Sequence, residues 1–263
     1  MNFYSKHETR RRLIRGIPNT DSLQRLLGHW FQTPQGRQVL AAEKAFLEPI
    51  LSRLFGYHIL QLGGHQDYSM LDSSPVGHKI QFAPVWRPGL TQAVADNEEL
   101  PLATDSVDVV LLHHALDFTE DSHRLLREAT RVLRPGGHML IVGFNRYSHW
   151  GFWRLFRRRN TLPWRGRFIS RGRLTDWLQL LDLTVDRIDY GLHFPPFKYK
   201  RLLQYAERLE RLGNRLHSPL GGAYFIVCVK EVAPLTPVVP RWQPLPRRTA
   251  AFPAAEKVRA RIH

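Results

Sequence analysis

The sequence predicts one α/β domain built on a mostly parallel sheet, and three consecutive stretches carry that prediction. Residues 108–112 are a short Val- and Leu-rich run bounded by polar residues, as a strand buried on both faces requires. Residues 122–133 place Leu125, Leu126, Ala129, Val132 and Leu133 on one helical face, with Asp121 or Ser122 in position to cap its start. Pro135 cannot continue that helix, Gly136 and Gly137 supply a tight turn, and residues 138–143 return as a second apolar strand. A strand, a helix and a strand in this order form a right-handed crossover between parallel strands.

The other elements follow in chain order. Residues 1–30 are expected to be a basic N-terminal arm, with Arg10, Arg11, Arg12 and Arg15 clustered, ending in a short helix over 21–30. Thr33-Pro34-Gln35-Gly36 reads as a turn. Residues 38–55 carry Val39, Leu40, Phe46, Leu47, Ile50, Leu51 and Leu54 at helical spacing, and Pro49 inside that pattern predicts a kink or break. Residues 58–62 are the first strand, followed by Gly63-Gly64-His65-Gln66-Asp67, and 78–83 are the second. Beyond the crossover, 173–181 resume helical spacing, 183–190 read as a strand, 199–216 as a charged helix and 223–230 as a last apolar strand. From residue 231 the pattern ends: six prolines and six basic residues stand against two acids, so 231–263 are expected to be a disordered, basic, Pro-rich tail.

Two linked motifs resemble the class I S-adenosylmethionine-dependent methyltransferases, in the methyltransferase type 11 group. Asp96, Leu100, Pro101, Leu102, Ser106, Val107, Asp108 and Val110 match the first. Leu126, Arg131–Leu133, Pro135, Gly136 and Gly137 match the second. The chain looks closest to a small proteobacterial branch with a divergent glycine loop. The resemblance implies a Rossmann-like fold over residues 31–230, with a mostly parallel seven-stranded sheet and helices on both faces. It implies S-adenosylmethionine as cofactor and methyl transfer to an unidentified acceptor.

Site residues follow residue by residue from the same resemblance. Gly63 stands at the first glycine of the family's loop and Gly64 at a variable position, while His65 and Asp67 replace the other two glycines and Gln61 replaces a preceding acid. Glycines there let the backbone turn tightly and approach a cofactor. The family's ribose-binding acid has no counterpart at the end of the second strand, Phe82-Ala83-Pro84. Asp96 falls where the family meets the adenine amino group, with Asn97 beside the base; a turn-forming Asp is the plainer reading. Leu112 and His113 fall where the methionine end of the cofactor lies. Adjacent strand residues point to opposite faces, so His113 and His114 are not expected to share a site, and no metal site is expected. Asp117, Glu120 and Asp121 read as favourable charges at a helix N-terminus. No catalytic residue is assigned.

The chain has 263 residues, and 43% hydrophobic content supports a sizeable core. One cysteine excludes a disulfide framework, and Cys228 in an apolar run reads as a buried thiol. No apolar stretch has transmembrane length and no signal-peptide pattern opens the chain, so a cytoplasmic location is expected. A net charge of +15 attracts polyanions. It concentrates in residues 146–173, a lid segment with nine arginines and no acid, interleaved with Trp150, Phe152, Trp153, Phe156, Trp164 and Phe168. That mixture suits nucleic acid or an anionic membrane, or aromatics packed on the core with arginines reaching water. The alternative to an enzyme is a catalytically inactive methyltransferase-like protein that binds a partner or polyanion through its basic surface.

Overall fold

The computed structural model describes residues 20–64, 68–83, 92–156, 162–196, 205–215 and 218–231. The expected arm, the two replaced glycine positions and the Pro-rich tail lie outside them. Two helices come first, α1 (Thr20–Phe31) and α2 (Pro34–Leu51). Thr33 caps α2 by accepting from Gly36 N, and Pro34 opens it, so the predicted turn is the helix start. A Cβ on Gly36 would collide with the Trp30 carbonyl, and its absence lets α2 turn back tightly on α1. Pro49 produces no break before Leu51. It sits in the last turn, and the helix ends two residues beyond it.

The strands are β1 (His58–Gly63), β2 (His78–Gln81), β3 (Val107–His113), β4 (Leu133–Phe144), β5 (Leu183–Gly191) and β6 (Ala223–Lys230). They form one sheet in the order β2-β1-β3-β4-β6-β5. The first four are mutually parallel; β6 runs antiparallel to both β4 and β5. Helix α3 (Ser122–Val132) crosses from β3 to β4, capped by Asp121 through His123 N and Arg124 N. Helices α4 (His149–Phe156), α5 (Arg171–Gln179) and α6 (Ala206–Arg215) complete the described set.

Among the described residues the sheet therefore has six strands rather than the seven expected. The missing one is reduced to a single parallel bridge, Ala83 with Val94. Polar and charged residues crowd the Asp96–Glu99 turn that follows, which leaves too short an apolar run for a strand. The Pro-Gly-Gly turn is likewise absorbed into β4 as a bulge: Val107 pairs with Leu133 and Val109 with His138. Gly136 there has φ +76°, and a Cβ on Gly137 would sit 2.8 Å from the Asp108 carbonyl.

Strand alternation sorts the core into two clusters. Ile59, Val109, Leu111, Leu140 and Val142 face α1, α2 and the aromatics Phe144, Trp150, Trp164 and Phe168. Leu60, Val110, Leu112, Met139 and Ile141 face α3 and α5. In the basic aromatic segment the buried rings thus belong to the core. Phe152 and Trp153 remain exposed, and Arg154 stacks over Phe168 at 4.9 Å.

Candidate functional site

The strand order reverses between β1 and β3, the place where an open parallel sheet leaves a crevice beyond its carboxyl ends. Gly63 and His113 are register partners at that point. Gly63 and Gly64 have φ of +78° and +72°. Added Cβ atoms would press on the His113 carbonyl and Ala115, and on His113 Nδ1 at 2.5 Å, respectively. The glycines thus allow the loop after β1 to lie directly on the end of β3. Gln61 holds the far side of that loop. Its Oε1 accepts from Met70 N at 3.0 Å and its Nε2 donates to the Tyr68 carbonyl. A glutamine does here what a carboxylate cannot, because it both donates and accepts.

At the end of β3 stands a fully buried polar chain. Glu43, from the core face of α2, accepts at Oε2 from His113 Nε2 and at Oε1 from His114 Nε2, both at 2.8 Å. His114 Nδ1 donates to Asp117 Oδ2 at 3.0 Å, and the same oxygen accepts from Phe144 N at 2.9 Å. The two histidines do share a site, against the expectation from strand alternation. His114 lies just past β3 with φ +51°, and that left-handed turn swings its ring back to the His113 side. Phe31 stacks on His113 with centroids 5.9 Å apart, and Phe144 on His114 at 4.1 Å. Asp117 is thus a buried carboxyl group of the site and not a helix-end cap; Asp121 caps α3.

The charges follow from the partners. Burial disfavours ionised His114, but Glu43 and Asp117 outweigh it and push its pKa up to about 9. Burial raises Glu43, yet His114 and His113 outweigh that and hold it at about 2. Burial dominates at His113, lowers its pKa and keeps it neutral. His113 Nε2 carries the proton given to Glu43, so Nδ1 is a bare acceptor, buried and without a partner. Glu43, His113 and His114 bring three atoms of metal-binding type within 4.8 Å of one another. His114, however, already spends both nitrogens on carboxylates.

The other expected contacts divide. Leu112 sends its side chain into the α3 cluster and offers the crevice only backbone. Asp96 is exposed, and its Oδ1 accepts from Glu98 N at 2.9 Å, the turn-forming role. Asn97 is 8% exposed and its Oδ1 has no partner. Its loop is pinned by Glu98, which accepts from Thr119 Oγ1 at 2.9 Å. Arg131 donates to the carbonyls of Leu100 and Leu102 and to Thr104 Oγ1, so the second sequence motif physically holds the first. No carboxylate stands at the end of β2 among the described residues. Glu43 and Asp117 are the members that sequence reasoning missed.

Residues 58–141 match the methyltransferase domain family of type 11. The uncharacterized protein YafS of Escherichia coli K12 is 34% identical over 208 residues, 79% of this chain and 82% of YafS. A SAM-dependent methyltransferase of Thermotoga maritima superposes with a TM-score of 0.57 at 19% identity, covering 77% of this chain and 93% of that one. A geranyl diphosphate methyltransferase in complex with SAM gives a TM-score of 0.51 at 14% identity, over 74% of this chain and 90% of that one.

Proposed function

We propose, from the premise that this chain belongs to the class I S-adenosylmethionine-dependent methyltransferases, that it is a working methyltransferase whose transfer site lies over the carboxyl ends of β1, β3 and β4. Its cofactor is S-adenosylmethionine, which supplies a methyl group already activated on a sulfonium. The residues present suit it. Gly63 and Gly64 keep the crevice floor free of Cβ atoms, and His113 Nδ1 lies unpartnered against Gly64; Asn97 Oδ1 is a second buried acceptor without a partner. The observation that carries the reading is His113 Nδ1: an acceptor left bare in the core beside the glycine loop, at the reversal of strand order. Unpartnered buried acceptors cost about 1–3 kcal/mol, which a ligand donor would offset. In this reading Gly63, Gly64 and the Leu112 backbone shape the methionine end, while Asp96 and Asn97 border the base.

The acceptor is the part least fixed by these residues. Buried Trp150, Trp164 and Phe168 pack beside Phe144, so the aromatic segment forms a wall next to the site and is the place where acceptor choice would be set. Methyl transfer from a sulfonium depends mostly on positioning. The test is calorimetry with S-adenosylmethionine, followed by transfer of labelled methyl to a cell extract. Micromolar binding with labelled product supports the enzyme. A folded protein that shows no heat up to millimolar cofactor would be a partner- or polyanion-binding relative instead.

A further inference from the structure

The buried chain at the end of β3 has a charge count that its own groups do not balance. Both His114 nitrogens face carboxylate oxygens, so His114 is an imidazolium donating at each. His113 faces a carboxylate with one nitrogen only and is neutral. Two carboxylates against one imidazolium leave one negative charge. Among the described residues, the ion pairs of Glu43 and Asp117 are with histidines only. Two further signs mark the excess. Asp117 Oδ1 is buried without a hydrogen-bond partner, and so is the nearby Tyr224 hydroxyl. That phenol is held protonated by burial and by the charge of Asp117. All four members of the chain are shielded from water, so a bare charge there is costly unless a cation arrives.

We propose that this uncompensated charge is the electrostatic partner of the cofactor sulfonium, so that the site selects S-adenosylmethionine over its demethylated product. The inference rests on the cofactor reading above and deepens it. The geometry supplies the link. His113 connects the chain to the crevice, with Nε2 on Glu43 and Nδ1 against Gly64. The two ligands share every group except the methyl and the charge on sulfur. A buried anion close by, in a medium of low effective dielectric, therefore discriminates between them where hydrogen bonds to ribose or adenine cannot. Loss of the methyl cation equivalent to an acceptor leaves a neutral thioether. The site would then repel nothing but hold the product less tightly, which favours its exit. Glu43, His114 and Asp117 act through the field and are positioning residues.

The experiment measures affinities for S-adenosylmethionine, S-adenosylhomocysteine and sinefungin, whose amine places a positive charge where the sulfonium would be. In the unaltered protein the two cations are expected to bind at least about tenfold more tightly than the homocysteine product, a difference of about 1.4 kcal/mol. In Glu43→Gln/Asp117→Asn, which removes both carboxylates and lets His114 become neutral, that preference should fall to within about twofold of unity. Circular dichroism would show whether the double variant folds; the comparison of three ligands on the unaltered protein stands without it. Equal or tighter binding of the homocysteine product overturns the proposal. So does a folded double variant that keeps the preference, or a stoichiometric divalent metal in the purified protein, which would itself supply the counter-charge. Failure of all three ligands to bind would instead remove the cofactor reading beneath it.

Discussion

Asn97 and Asp96 are adjacent, yet their side chains have opposite circumstances. Asp96 is exposed and already caps Glu98 N, which is sufficient reason for an aspartate there. Asn97 is buried with its carbonyl oxygen unpartnered. Leaving such a group bare costs about 1–3 kcal/mol, so its retention suits a donor brought by a ligand. Asn97→Ala is therefore expected to weaken S-adenosylmethionine binding about tenfold, and Asp96→Ala by no more than about threefold, in calorimetric titrations. The reverse order would return the adenine contact to Asp96. At this scale the sequence was a partial guide. It singled out Gly63, Gly64 and His113 as candidates because a glycine pair and a strand end are local features. It passed over Glu43, although Val39, Glu43, Leu47 and Leu51 recur every four residues and all are buried. One acid in an apolar stripe was the available signal. Asp117 hid among the acids before α3, where a solvated charge explains the pattern equally well. His114 could not be placed from alternation because its positive φ is invisible in the sequence.

The elements are tied together by side chains from the two recognisable motifs. Asp108, at the start of β3, accepts from Tyr57 N at 2.7 Å and His58 N at 2.8 Å, and pairs with Arg134 in the β4 bulge. It thereby aligns three strand beginnings with one carboxylate. Arg131, in the last turn of α3, pairs with Glu128 and reaches the carbonyls of Leu100 and Leu102 and the hydroxyl of Thr104. Arg131→Met keeps the aliphatic stem and removes these donors. It is expected to cost about 1–2 kcal/mol in urea unfolding and to speed proteolysis within the loop of residues 100–104. Arg131→Lys should rescue little, since one ammonium cannot span the fork of partners. Unchanged loop cleavage in both variants would show that the loop is held from elsewhere. The crossover at β3-α3-β4 was legible because its periodicities switch cleanly. The seventh strand was not, because its reduction to one bridge depends on how the Asp96–Glu99 turn folds and not on hydropathy.

For the whole molecule, the buried histidines set a pH at which folding is strongest. His114 has a folded pKa of about 9 against 6.5, so its contribution is complete below pH 6.5 and is lost as pH rises towards 9. His193, raised because Glu210 and the Ser218 carbonyl outweigh its burial, loses its contribution in the same direction. His113 and His149 behave oppositely. Burial lowers both, so below pH 6.5 the unfolded chain binds protons that the folded chain refuses, and stability falls with acid. Glu43, Asp72 and Glu128 have lowered carboxyl pKa values and add to the acid loss at still lower pH. The two limbs meet near pH 6.5. The unfolding free energy in urea is expected to peak there and to drop by roughly 3 kcal/mol by pH 9, chiefly through His114. His114→Gln should be less stable at pH 6.5 and should flatten the alkaline limb. The acid limb should persist, because His113 and His149 remain. A stability that holds level between pH 6.5 and 9 in the unaltered protein would mean that His114 is not the doubly bonded imidazolium between Glu43 and Asp117. The negative charge assigned to the cofactor's sulfonium would then have to be recounted.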